Sequence, residues 1–135
     1  MTTTPDACER EHTLATAVAR FNDLRVRSAM AVTAEEMATG EAPSVPALAA
    51  EETLELLALG EAISRKAQYG RQIDVRAARR AGASWAAIGA ALGTSKQAAW
   101  EAHNRWIDAL ADRFDGLPPD DVAAARDLAG DPDDD

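Results

Sequence analysis

The side chains with most chemistry to offer gather in one run, where Ser95, Lys96, Gln97, Trp100, Glu101, Asn104 and Arg105 recur at short helical spacings. On a helix turning about 100° per residue, Gln97, Glu101 and Asn104 share one face, with Trp100 and Arg105 at its flanks. Such groups suit the edges of base pairs. A carboxamide makes a bidentate pair with adenine, a carboxylate accepts from the amino group of cytosine, and an apolar ring lies against a thymine methyl. Catalysis finds less to use: no convincing carboxylate pair, activated nucleophile or phosphate-cradling glycine loop stands out, so an enzyme is not expected. His103 has no cysteine or acidic partner at ligand spacing on its face, and His12 lies far off in another helix. No metal and no cofactor are expected.

Two short helices must position that run. Ser84 is placed to cap the first, whose apolar residues Trp85, Ile88 and Leu92 recur at three- and four-residue spacing before Gly93 ends it. Thr94 or Ser95 caps the second, with Thr94 and Gln97 at capping-box spacing. Ala99, Ala102, His103, Trp106 and Leu110 fall on its inner face. Helices joined so tightly need a small residue where they touch, and Gly89 supplies it.

The stretch from Ala83 to Trp106, ASWAAIGAALGTSKQAAWEAHNRW, resembles the helix-turn-helix of bacterial transcription regulators, close to that of sigma factor region four. Gly89 stands where such motifs carry a small residue, Gly93 where a glycine makes the turn, and Ser95 opens what would be the recognition helix. The run GTSKQAAW is also similar to short regulator-like proteins in which Ser, a basic residue and Gln-Ala-Ala begin that helix. The resemblance implies a partner, double-stranded DNA, and a role in transcription regulation. It implies base contacts from the start of the second helix and phosphate contacts from the helix that leads into the pair.

The charge distribution agrees with a polyanionic partner although the chain as a whole carries a net charge of -9. Residues 64–113 hold Arg65, Lys66, Arg71, Arg76, Arg79, Arg80, Lys96, Arg105 and Arg113 against only Asp74, Glu101, Asp108 and Asp112. The flanking segments are both acidic, so positive charge is concentrated where phosphate contacts would need it. A solvated basic face in an otherwise acidic chain is the plainer reading of the same pattern.

Composition sets the fold class. With 47% hydrophobic but 4% aromatic residues, and no alternating β-branched run, the chain is expected to be all-α. Cys8 is the only cysteine, so no intrachain disulfide can form, and a reducing cytoplasm is the expected location. No apolar run approaches the ~20 residues of a membrane span, and the first residues lack the pattern of an export signal.

In chain order, Thr4 or Asp6 is available to cap and Pro5 suits a first turn. From about Ala7 to Thr39 nothing breaks a helix, which gives one long element of about 30 residues. Leu14, Val18, Phe21 and Leu24 or Arg25 mark one face of it, and Val26, Met30, Thr33 and Met37 drift onto another. Gly40–Pro46 is a turn by every local signal. A second helix from Ala47 or Leu48 to about Tyr69 carries Leu54, Leu56, Leu57, Leu59 and Ile63 on a broad face. Such breadth implies contact on more than one side, so residues 1–69 read as a long helical hairpin and a dimerisation arm.

Gly70 separates that arm from residues 70–114, the binding unit. Gln72–Ala81 would be its leading helix, with Ile73, Ala77 and Ala81 inward, Arg76, Arg79 and Arg80 off that face, and Gly82 at its end. Residues 115–135 form an acidic tail with a short helix over Val122–Leu128, capped by Asp120 or Asp121 and ended by Gly130, and a disordered DPDDD. The tail either confers solubility or folds over the basic face and competes with DNA. No small-molecule ligand is evident. The rival to a DNA-binding homodimer is a protein-interaction adaptor, or antitoxin-like partner, that works through the helical arm.

Overall fold

The computed structural model describes residues 3–37, 46–113 and 119–134. Among them every regular element is helical: α1 (Pro5–Glu11), α2 (Leu14–Met37), α3 (Ala50–Gln68), α4 (Arg71–Arg80), α5 (Trp85–Leu92), α6 (Lys96–Arg113), α7 (Pro119–Ala129) and a 3-10 turn at Pro132–Asp134. The chain divides into two compact units, Met1–Tyr69 and Gly70–Asp135.

In the first unit α1 and α2 both pack on α3. Thr4 caps α1 by accepting from the Ala7 amide at 3.2 Å, and Pro5 occupies the first turn, where a missing N–H costs nothing. The single long helix expected from Ala7 onward is instead two, because the threonines after His12 start a new one. Thr13 Oγ1 accepts from the Thr16 amide at 3.2 Å while Thr16 Oγ1 accepts from the Thr13 amide at 3.0 Å. This reciprocal pair satisfies donors that a continuous helix would have used internally.

Leu24, Leu56, Leu59, Ala17 and Ala62 form the buried core of this unit, with Phe21, Leu48 and Ile63 packed around them. Ion pairs fix the register: Arg20 meets Glu55 at 2.6 Å, and Arg27, further along α2, meets Glu52, nearer the start of α3, at 2.8 Å. The two helices are therefore antiparallel. The Arg20 guanidinium holds the Glu55 carboxyl below the usual carboxylate range despite partial desolvation. The Gly40–Pro46 turn falls almost wholly outside the described residues.

The second unit is built around Trp85, Ile88, Ala99, Ile107, Val75 and Ala129. Its helix ends follow local chemistry: Gly70, Gly82, Gly93 and Gly130 all have positive φ, which an L residue adopts only with strain. Ser84 caps α5 by accepting from the Ala87 amide at 3.1 Å. Ser95, not Thr94, caps α6, accepting from the Ala98 amide at 3.1 Å.

Two expectations for this unit are corrected. On α4 the inward stripe of Ile73, Ala77 and Ala81 is wrong by nearly half a turn: Ile73 is 62% exposed and both alanines face out, whereas Val75 is buried at 5%. Arg76 and Arg79 consequently sit on the inner side, half-buried, and only Arg80 is exposed. The acidic end carries a helix where a short one was expected, but of the DPDDD read as disordered, Pro132–Asp134 form a 3-10 turn. α7 starts at Pro119, so Asp120 and Asp121 lie inside its first turn rather than capping it. Residues 131–134 are ordered, with Pro132 buried.

Candidate nucleic-acid interface

Gly89 sets how closely α5 and α6 meet. A Cβ there would stand 2.9 Å from the Lys96 nitrogen and from the carbonyl group of Ser95, closer than real Cβ contacts come. Gly93 turns the chain with φ 71°, and the three residues Gly93, Thr94 and Ser95 suffice to start α6. The result is a second helix whose first turn, with Ser95, Lys96 and Gln97, is exposed while Ala99 and His103 behind it are buried.

Along the outer face of α6, Gln97, Glu101, Arg105 and Asp108 are exposed. Gln97 does not close a capping box; its Nε2 donates to Glu101 Oε1 at 3.0 Å, so the two polar groups are held side by side. Asn104 is half-buried and its Nδ2 donates to the Trp100 carbonyl at 2.9 Å, which turns its amide onto its own helix. The inner face gains a residue missed in the sequence, Ile107, which is 1% exposed; its place one turn beyond His103 was the signal for it.

Trp100 departs furthest from the sequence expectation. It is half-buried, and its Nε1 donates to the Gly130 carbonyl at 2.7 Å. Trp85 does the same one carbonyl earlier, donating to Ala129 at 2.7 Å, and Arg79 Nε donates to the Leu128 carbonyl at 3.2 Å. The last carbonyls of a helix have no intrahelical partner. Here three side chains, one each from α4, α5 and α6, supply the donors for α7, and the cationic one suits the negative end of the helix dipole. Arg79 also donates from Nη1 to the Ala83 carbonyl at 3.0 Å and lies 5.1 Å above the Trp85 ring. Trp100 and Arg79 are thus packing residues of this unit.

The docked segment brings one acid and one base to the helix that carries the candidate face. Asp133 pairs with Lys96 at 3.5 Å, and Arg126 pairs with Asp108. Lys96 therefore already has a carboxylate beside it.

His103 lies under the face, not on it. Its Nδ1 is 2.9 Å from Gln72 Oε1, an acceptor, so that nitrogen carries the proton. The ring stacks on Trp106 with centroids 5.4 Å apart and tilts against Trp85. Burial pushes its pKa down, and the Arg76 and Arg79 charges push the same way. Its folded pKa thus lies below the ordinary value of 6.5, and the unfolded chain takes up this proton first as pH falls. The second unit is expected to lose stability progressively as pH drops from about 7 towards 5. His103→Gln, which keeps a hydrogen-bonding group and removes the titration, should flatten that slope in chemical denaturation at a series of pH values. An unchanged slope would assign the effect to other groups.

No family model matches the chain, and neither do any of the curated proteins or solved structures compared with it.

Proposed function

We propose that this protein binds double-stranded DNA through the amino-terminal half of α6, as a small regulator of transcription, and acts as a homodimer. The carrying observation is the close approach at Gly89, which seats the exposed start of α6 on α5 and leaves Ser95, Lys96, Gln97 and Glu101 facing outward. Lys96, Arg105 and Arg80 are the exposed cations that would contact phosphates; Arg76 and Arg79, set inward, are not assigned that role. Gln97, held beside Glu101, is the leading base-reading residue, and Asn104 contributes less because its donor is engaged. The dimer reading rests on apolar residues that the first unit leaves exposed, Leu14, Val18, Val26, Met30, Leu54 and Leu57. A two-fold dimer would recognise half-sites one helical turn, ~34 Å, or a multiple of it, apart.

The same exposed residues favour the second reading, an adaptor whose working surface is the first unit. A salt series on fragments retained from sheared genomic DNA separates the two. Each neutralised phosphate contributes a log–log slope of about -0.9, so three cations per protomer give about -2.7, whereas an apolar interface hardly responds. Gln97→Ala is expected to relax preference at one base position, and Asp133→Asn, which frees Lys96, to tighten binding about two- to fivefold at low salt. A folded sample that retains no fragment in dilute buffer overturns the proposal. Deleting the whole acidic segment is a poor test of competition, because Ala129 is part of the core and Pro132 is buried.

A further inference from the structure

Between α4, α6 and α7 lies a cavity of about 220 Å³. Its walls are mostly apolar: Trp106, Ile107 and Leu110 from α6, and Val122 and Ala125 from α7. Two charged side chains of opposite sign complete it, Arg76 from α4 and Asp121 from α7.

Those charges share one small cavity without meeting each other. None of the ion pairs among the described residues involves either of them. Arg76 Nε is buried and has no hydrogen-bond partner among the described residues. A buried N–H left so is costly, and native structures seldom keep one unless something else meets it. A site that presents a cation, an anion and an apolar wall is complementary to a molecule with a carboxylate, an ammonium group and an apolar body. The volume, below the range of about 300–1,000 Å³ typical of drug-sized ligands, limits that body to a few carbons or one ring.

We propose that this cavity binds a free apolar α-amino acid. Its carboxylate lies towards the Arg76 guanidinium, its ammonium group towards Asp121, and its side chain against the Trp106 ring and the aliphatic residues opposite. An inorganic anion would use Arg76 alone and leave the apolar wall and Asp121 without a role. A fatty acid would bring no cation for Asp121.

The experiment uses the full chain labelled with 15N and follows the indole N–H signals, Trp106 being assigned by Trp106→Phe. L-Leucine and L-phenylalanine are titrated in, alongside 4-methylpentanoate, which lacks the ammonium group, and 3-methylbutylamine, which lacks the carboxylate. The Trp106 signal is expected to move saturably with the amino acids, and the two truncated probes to bind about tenfold more weakly or worse. Arg76→Gln and Asp121→Asn should each weaken amino-acid binding about tenfold. Asp121 is exposed, so its variant folds even if the Arg76 variant does not. No saturable shift with either amino acid, equal affinity for 4-methylpentanoate, or undiminished binding by Asp121→Asn would each overturn the proposal. None of these readouts depends on DNA.

Discussion

Trp85→Ala is expected to lower the stability of the second unit by about 3–5 kcal/mol, the usual cost of emptying a tryptophan-sized site in a core. Several losses coincide there. The side chain is 0% exposed, it packs against the His103 ring, the Arg79 guanidinium lies over it, and its N–H satisfies the Ala129 carbonyl. A unit this small rarely holds more than about 3–5 kcal/mol in total, so the variant should be largely unfolded there at room temperature. Amide exchange would show it directly: α4 to α7 should lose protection, while α2 and α3, whose core is separate, should keep theirs. Trp85→Phe keeps most of the volume and removes the donor, and should cost about 1–3 kcal/mol, the price of one buried carbonyl left unmatched. Native protection of α7 in Trp85→Ala would show that the indole is not what holds this unit together.

Gly89→Val should also be strongly destabilising, through a different cause. Any Cβ at this position meets main-chain atoms of Lys96 and Ser95 at 2.9 Å, and main chain at the start of a capped helix cannot swing aside as a side chain can. α5 and α6 would have to separate, at a cost of about 1–3 kcal/mol or more, and the exposed end of α6 would be displaced. Gly60 provides the matched control. A Cβ there meets only the Phe21 ring edge at 3.4 Å, an ordinary contact. Gly60→Ala should therefore be neutral or gain up to about 1 kcal/mol from helix propensity. Thermal denaturation of both variants decides the matter; equal shifts would mean that the close approach at Gly89 is not tight in solution.

Local signals in the sequence carried far. The caps at Thr4, Ser84 and Ser95 and the positive-φ glycines at 70, 82, 93 and 130 are each decided by a few neighbouring residues. The larger failures involve partners distant along the chain. On α4, alanines and arginines alternate so evenly that periodicity alone could not choose a face. The choice was made by Val75 packing near Trp85 and by Arg79 reaching Leu128, 49 residues away. The final DPDDD read as disordered because its charge dominates its composition. Pro132 is nonetheless buried there, and Trp85 and Trp100 bond to the carbonyls just before it across 44 and 30 residues. Composition measures what a segment lacks, not what waits for it elsewhere. The break after His12 is a nearer miss: the threonine pair was visible, but without glycine or proline it did not look like punctuation.

The capping of α7 by three side chains from earlier helices also orders events in time. A growing chain emerges from its amino-terminal end, so Arg79, Trp85 and Trp100 are made well before the carbonyls that receive them. Until residues 128–130 emerge, these hydrogen bonds cannot form and the seam that α7 closes stays open. A message truncated beyond Arg113 but short of that point would yield a product with α4, α5 and α6 intact in sequence and nothing to close them. Such a product is expected to open more readily, and so to be cut by proteases sooner, than a chain that carries residues 128–130.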